Sequence, residues 1–195
     1  MIKKVTLIIS IILLLVIVGI VSETYDTPPD PSHKAQEVTV DPEVKILTEY
    51  QKLRSSRIPI EIAQLQAELI VDAAHKAELP VELLVGIISA ETAHTFDASA
   101  VSNAGAVGLM QILMGQNEEG YEIEISEEQK FDIQYNLQIG CLILKGKLKK
   151  ADGNLYKALQ MYSGGAGEYP ERVYYGVGRY VMYRNMVEGV KIVRR

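Results

Sequence analysis

Apolar positions begin as an unbroken run, pass into a series of helical stripes, and lose their period in one glycine-rich stretch. Val5 to Val21 carries no charge, with Lys3 and Lys4 before it and Glu23 and Asp26 after. Nothing in this run is amphipathic, which fits a core helix poorly. It predicts an N-terminal transmembrane helix, a signal anchor over residues 1–22, with the N-terminus cytoplasmic and the rest outside. A cleaved signal peptide is the alternative reading. Residues 23–42 follow, with Pro28, Pro29, Pro31 and Pro42 among polar residues. They read as a solvated tether, extended in part by its prolines.

From residue 43 onward the pattern predicts one mainly α-helical domain, 43–195. Val44, Leu47 and Tyr50 give a short helix to about Leu53, and Ser55 to Pro59 break it. Ile62, Leu65, Leu69, Ile70, Ala73, Ala74 and Ala77 mark an amphipathic helix. Leu84, Ile87, Ile88 and Glu91 mark the next, entered at Pro80, a residue suited to a first helical turn. Thr92 to Val107 has no period and reads as a loop. Gly108 to Leu113 is apolar enough for a short helix, and Gly115 to Gly120 is turn-like. Tyr121 to Ile125 alternates, so a small β-hairpin is expected around 121–125. Ser126 to Gln129 resembles a helix start. Phe131 to Lys150 is a strong helix with Ile133, Leu137, Gly140, Cys141, Leu144 and Leu148 on one face. Leu155 to Tyr162 is a short helix, Ser163 to Gly167 a loop, and a final helix is expected from near Val177 to Val190.

Within this pattern Glu91 is the residue out of place, a carboxyl on the apolar stripe of its helix, in the last turn. Burial and the negative end of the helix dipole both disfavour its charged form. A carboxyl that keeps its proton near neutral pH is a candidate general acid. The competing reading is a glutamate that frays into solvent at a helix end.

Composition narrows the rest. A formal charge of −5 and the lack of a basic stripe argue against nucleic acid. The single cysteine, Cys141, sits in an apolar helical run and reads as a buried structural thiol. The histidines are scattered, so no metal site and no cofactor are expected.

The stretch E-T-x4-D-x2-A-x-S-x2-G-A-x-G-L-M-Q-I, from Glu91 to Ile112, closely resembles the soluble-lytic-transglycosylase (SLT) type of catalytic domain, in the lysozyme-like superfamily. Further landmarks follow in the family's order. Phe131-Asp132-Ile133-Gln134-Tyr135-Asn136-Leu137-x2-Gly140 resembles the helix that carries N-[IL]-x2-G. Ala158 to Gly165 is similar to A-L-x-A-Y-N-x-G, and Arg179-Tyr180-Val181 to the terminal Y-V motif. The likeness spans roughly residues 60 to 190. Thr92 stands where serine is usual, Gly115 where proline is, and Ser163 where asparagine is. A serine hydroxyl offers fewer hydrogen-bonding ends than an asparagine amide.

The resemblance implies a lysozyme-like helical domain acting on peptidoglycan glycan strands. Glu91 would protonate the β-1,4 bond between N-acetylmuramic acid and N-acetylglucosamine. It would then act as a base, closing a 1,6-anhydro ring with no second carboxylate. Asp97 is the nearest other acid. It reads as structural, though across the cleft it would make hydrolysis plausible. By resemblance Thr92, Ser102, Gly108, Met110, Gln111, Tyr162 and Ser163 bind substrate, and Tyr162 points its hydroxyl at the acid. On sequence alone Met110 is core and Gln111 surface. The rivals are a hydrolytic muramidase of the same fold and a non-catalytic glycan-binding scaffold. A secretion, conjugation or phage-assembly apparatus is the kind of further partner that an anchored enzyme of this sort suits.

Overall fold

The structure, a computed structural model, describes residues 40–113, 117, 118, 121, 122, 126, 129 and 131–193. The expected anchor and most of the expected tether lie outside the described residues. No helix among the described residues is long and apolar enough to cross a membrane. Val40 to Arg195 form one compact unit.

The elements are α1 (Pro42–Arg54), α2 (Ile60–Ala77), α3 (Val81–Glu91), β1 (Asn117–Glu118), β2 (Tyr121–Glu122), α4 (Ile133–Lys150), α5 (Leu155–Tyr162) and α6 (Tyr169–Val193). Local chemistry sets their ends. The Asp41 carboxylate accepts from the Glu43 amide at 2.8 Å, so Pro42 opens α1 rather than closing the tether. Asp132 and Asn154 cap α4 and α5 in the same way, accepting from Tyr135 N and Lys157 N. Of the helix start expected at Ser126 to Gln129, residues 127 and 128 lie outside the described residues, and Gln129 N donates to Ser126 O at 3.1 Å. The hairpin is present but sits earlier than 121–125: Asn117 pairs with Glu122 and Glu118 with Tyr121.

Helix α3 runs through the middle of the molecule. Every residue from Val81 to Ala90 is buried except Glu82, as its mostly apolar sequence demands. It packs most closely on α6. The contact is backbone to backbone: a Cβ on Gly86 would lie 2.5 Å from Val177 Cγ2 and 2.8 Å from the Val173 carbonyl, and one on Gly176 would lie 3.0 Å from Gly86 Cα. Arg184 pairs with Glu82 at the start of this seam. Around it Leu47, Tyr50, Ile70, Leu84, Ile87, Ile88, Leu137 and Tyr180 are fully or almost fully buried.

Two expectations are corrected here. The final helix begins at Tyr169, not near Val177. Gly176, just before the expected start, looks like a breaker in the sequence, but it serves the close approach to α3, and Pro170 sits in the first turn, where proline is tolerated. Residues 108–113 are not a helix. Val107 and Ile112 exchange backbone hydrogen bonds of 3.0 and 2.9 Å. Gln111 takes a left-handed φ of 48°. The segment is a tight loop folded back on itself.

Candidate active site

The site grows from the end of α3. Its apolar stripe carries the chain to Glu91, whose side chain is half-buried. Beyond it Thr92 turns the backbone: its hydroxyl donates to the Ile88 carbonyl at 2.7 Å and accepts from the Phe96 amide at 3.1 Å. Ala93, His94 and Phe96 follow with positive φ, which unwinds the chain into the loop.

A tyrosine hydroxyl meets Glu91, and it belongs to Tyr169. It donates to Glu91 Oε1 at 2.6 Å, a length typical of hydrogen bonds to a charged acceptor. Burial pushes the Glu91 carboxyl above the ordinary carboxylate value, while the Tyr169 hydrogen bond and the Arg172 charge pull it part of the way back. Tyr169 is itself buried. Burial and its neighbours Tyr162 and Glu91 drive its phenol far above the usual value, so it stays a donor. Tyr162, expected at the acid, donates its hydroxyl proton to the Met110 carbonyl at 2.9 Å. The two rings stack, with centroids 6.2 Å apart.

The loop over Glu91 is held from below by Asn136 on α4. Asn136 Nδ2 donates to Val107 O at 2.8 Å, and its Oδ1 accepts from Met110 N at 2.8 Å. Gly108, at φ +79°, lies so close that a Cβ would come within 2.4 Å of Asn136 Nδ2. The Met110 side chain is wholly buried and fills the space that Gly140 leaves. Gln111 Nε2 donates to the Ala100 and Gly108 carbonyls at 3.1 and 2.9 Å. Ser102 Oγ accepts from the Ala106 amide at 3.0 Å.

These pieces enclose a groove of about 360 Å³ that runs past Glu91. Ser102, Gln111, Tyr162 and Ser163 line it beside the acid, together with Ile143, Lys147 and Met161. Glu91 is its one carboxylate among the described residues. Asp97 lies along a different cavity, and its Oδ1 accepts from the amide and hydroxyl of Ser99 at 2.8 and 2.6 Å. No group of metal-ligating side chains occurs among the described residues. Cys141 is buried, with its thiol pushed up to about 11.

The family model of the transglycosylase SLT domain matches residues 68–174, more than half of the chain. The chain belongs to that family. No solved structure matches it. The SLT match starts inside α2 and ends in the first turns of α6, so it takes in Glu91, the loop, Asn136, Tyr169 and Arg172. The family is one of transglycosylases that cleave glycosidic bonds of peptidoglycan.

Set against this SLT site, the expected substrate-binding residues divide. Ser102, Gln111, Tyr162 and Ser163 reach the groove. Thr92 spends its hydroxyl inside the helix end, Gly108 gives room to Asn136, and Met110 packs in the core. Ser163, in the place of an asparagine, closes α5: its hydroxyl donates to Gln160 O at 3.0 Å and accepts from Ala166 N at 3.1 Å. Tyr169 and Arg172 do not appear among the sequence-based expectations. Pro170 carried the signal, since a proline one residue after Tyr169 is where a helix can begin.

Proposed function

We propose that this protein is a membrane-anchored lytic transglycosylase that works on peptidoglycan outside the cytoplasmic membrane. The single observation that carries the catalytic reading is the environment of Glu91. It is the one groove-lining carboxyl among the described residues, its proton affinity is raised by burial, and its Oε1 accepts from the Tyr169 hydroxyl.

Glu91 gives its proton to the bridging oxygen between N-acetylmuramic acid and N-acetylglucosamine, and the bond to the muramyl C1 breaks. The substrate's own N-acetyl group supports the electron-poor C1. Glu91, now a carboxylate, receives the Tyr169 hydrogen bond at its strongest and takes the proton from the muramyl C6 hydroxyl. The C6 oxygen closes on C1, which leaves a 1,6-anhydro end and a reprotonated Glu91. Two-carboxylate glycosidases use a second acid as nucleophile or water-activating base. Among the described residues Glu91 is the one groove carboxylate and Asp97 is engaged by Ser99, which supports ring closure. Ser102, Gln111, Tyr162 and Ser163 bind the glycan along the groove.

The uncharged run from Val5 to Val21, lysines before and acids after, supports the anchor and its orientation. Residues 23–39 then act as a spacer to the domain. Such a placement suits local opening of the wall for an apparatus that crosses it.

The test is mass spectrometry of muropeptides released from purified peptidoglycan by the full-length chain, beside Glu91→Gln. The expected products end in 1,6-anhydromuramic acid, and Glu91→Gln slows their release by roughly 10³-fold. Reducing ends would assign hydrolysis. Undiminished release by the variant would remove Glu91 from the chemistry. For the anchor, the full-length chain is expected to stay in the membrane fraction after an alkaline wash, and its release would refute that assignment.

A further inference from the structure

Arg172 enters the site through backbone and ring contacts. It lies one turn beyond Tyr169 on the same face of α6. Its Nη2 donates to the Ala90 carbonyl, in the last turn of α3, where carbonyls run out of amide partners along the helix. Its guanidinium carbon stands 5.9 Å from the centroid of the Tyr169 ring, within reach of a cation–π contact. The Tyr169 hydroxyl in turn holds Glu91, the neighbour of Ala90. The contacts close a ring: Arg172 to Ala90, along the backbone to Glu91, across to Tyr169, and back along α6.

We propose that Arg172 is a positioning residue for the acid, which caps the carbonyl end of α3 and braces the Tyr169 ring so that carboxyl and hydroxyl meet in one geometry. This rests on the reading of Glu91 as the acid. A planar fork suits the task, because it bonds a carbonyl with one edge while its face covers an aromatic ring. A cation at a helix C-terminus also offsets the negative end of the dipole, which otherwise weighs on the Glu91 carboxylate. Arg172 thus opposes burial at Glu91, in the same direction as Tyr169.

The titratable and charged groups around Glu91 come from each neighbouring element. Tyr169 and Arg172 belong to α6, Tyr162 to α5 and Lys147 to α4 across the groove. His94, in the loop after α3, lines a cleft on the other side of Arg172 with Glu168, Glu171 and Tyr175.

The experiment is a carboxyl-carbon NMR titration of the full-length protein, with the Glu91 signal assigned by its loss in Glu91→Gln. Steady-state rates on peptidoglycan run in parallel. In Arg172→Gln the Glu91 midpoint moves up, and the alkaline limb of the rate profile moves up with it. The same variant loses roughly tenfold in kcat, while KM stays within about twofold. Arg172→Lys returns the midpoint close to that of the parent but recovers only part of the rate, because an ammonium lacks the fork.

An unmoved Glu91 midpoint in Arg172→Gln overturns the proposal, and so does a loss carried wholly by KM. Should Arg172→Gln not fold, Arg172→Lys decides alone: a rate equal to the parent's refutes the brace. The titration needs no substrate. A chain that leaves peptidoglycan intact while its Glu91 midpoint still follows Arg172 would therefore refute the functional reading and leave only the coupling of Arg172 to Glu91 standing.

Discussion

Glu91 stands between two pieces of structure made in opposite ways. Behind it, the α3–α6 seam is apolar and periodic, and so close at Gly86 and Gly176 that the helices touch through their backbones. In front of it, residues 92–113 have little apolar period, and side-chain-to-backbone hydrogen bonds hold them. Asn136, Gln111, Ser102 and Thr92 supply most of those bonds. The seam fixes where the acid sits and what polarises it. The loop fixes the shape of the groove beside Glu91. An acid that needs a dry neighbour and a wet substrate requires both kinds of wall.

The comparison breaks most sharply at Asn136. Asn136→Ala strips the Met110 amide of its acceptor and takes one of two donors from the Val107 carbonyl, which keeps the Ile112 amide. Leaving a buried backbone amide unpaired costs about 1–3 kcal/mol, so a loss of about 2 kcal/mol is expected. Chemical denaturation measures it. The damage should fall on the loop: KM rises, while the Glu91 titration, set by the seam, keeps its midpoint. A shift of that midpoint in Asn136→Ala would show that the two walls are not independent.

The tyrosines test the same division with a smaller effect. Tyr169 serves the seam and Tyr162 the loop, although the rings stack on one another. Tyr169→Phe removes the hydrogen bond that favours the Glu91 carboxylate. The Glu91 midpoint should rise and kcat should fall by about tenfold, the equivalent of about 1.4 kcal/mol. Tyr162→Phe removes a bond to the Met110 carbonyl, and is expected to raise KM and leave the midpoint in place. Measured rate profiles of the two variants that coincide would erase the distinction.

That distinction also explains what the sequence discloses. The loop is legible in its first part, where Thr92 to Val107 has no period, but not over 108–113, whose apolar residues suggest a helix while Asn136 and the Val107–Ile112 pairing fold them into a turn. Helices α2, α3, α4 and α5 are legible because their apolar stripes have a clean period. The seam is half-legible. Leu84, Ile87 and Ile88 announce α3, but α6 carries Gly176 on its buried face, and a glycine that permits contact looks the same in sequence as one that ends a helix. The helix start was misplaced by two turns for that reason, and with it went Tyr169 and Arg172. Their pairing with α3 is a long-range contact, and no local spacing encodes it. Met110 shows the converse. Its hydrophobicity points to the core, and the structure puts it there against Gly140.

The smallest effect expected concerns the cost of the acid to the fold. The folded-state proton affinity of Glu91 lies above the ordinary value near 4.5, with burial as the main cause. At pH values below that ordinary value the group is neutral in both folded and unfolded chains and costs nothing. As pH rises past it, the unfolded chain ionises first, and stability falls until the folded carboxyl has ionised too. Glu91→Gln removes this loss and keeps an oxygen for the Tyr169 hydroxyl. The variant should therefore melt higher than the parent at neutral pH, by a few degrees at most, since each kcal/mol is worth about 2–4 °C in a domain of this size. The difference should close as pH falls toward 4.5. Paired thermal melts across that range measure it. A gap that widens toward acid would mean that the carboxylate, not the acid, is the form the seam prefers, and Glu91 would then be held as a charge by Tyr169 and Arg172 rather than kept protonated by burial.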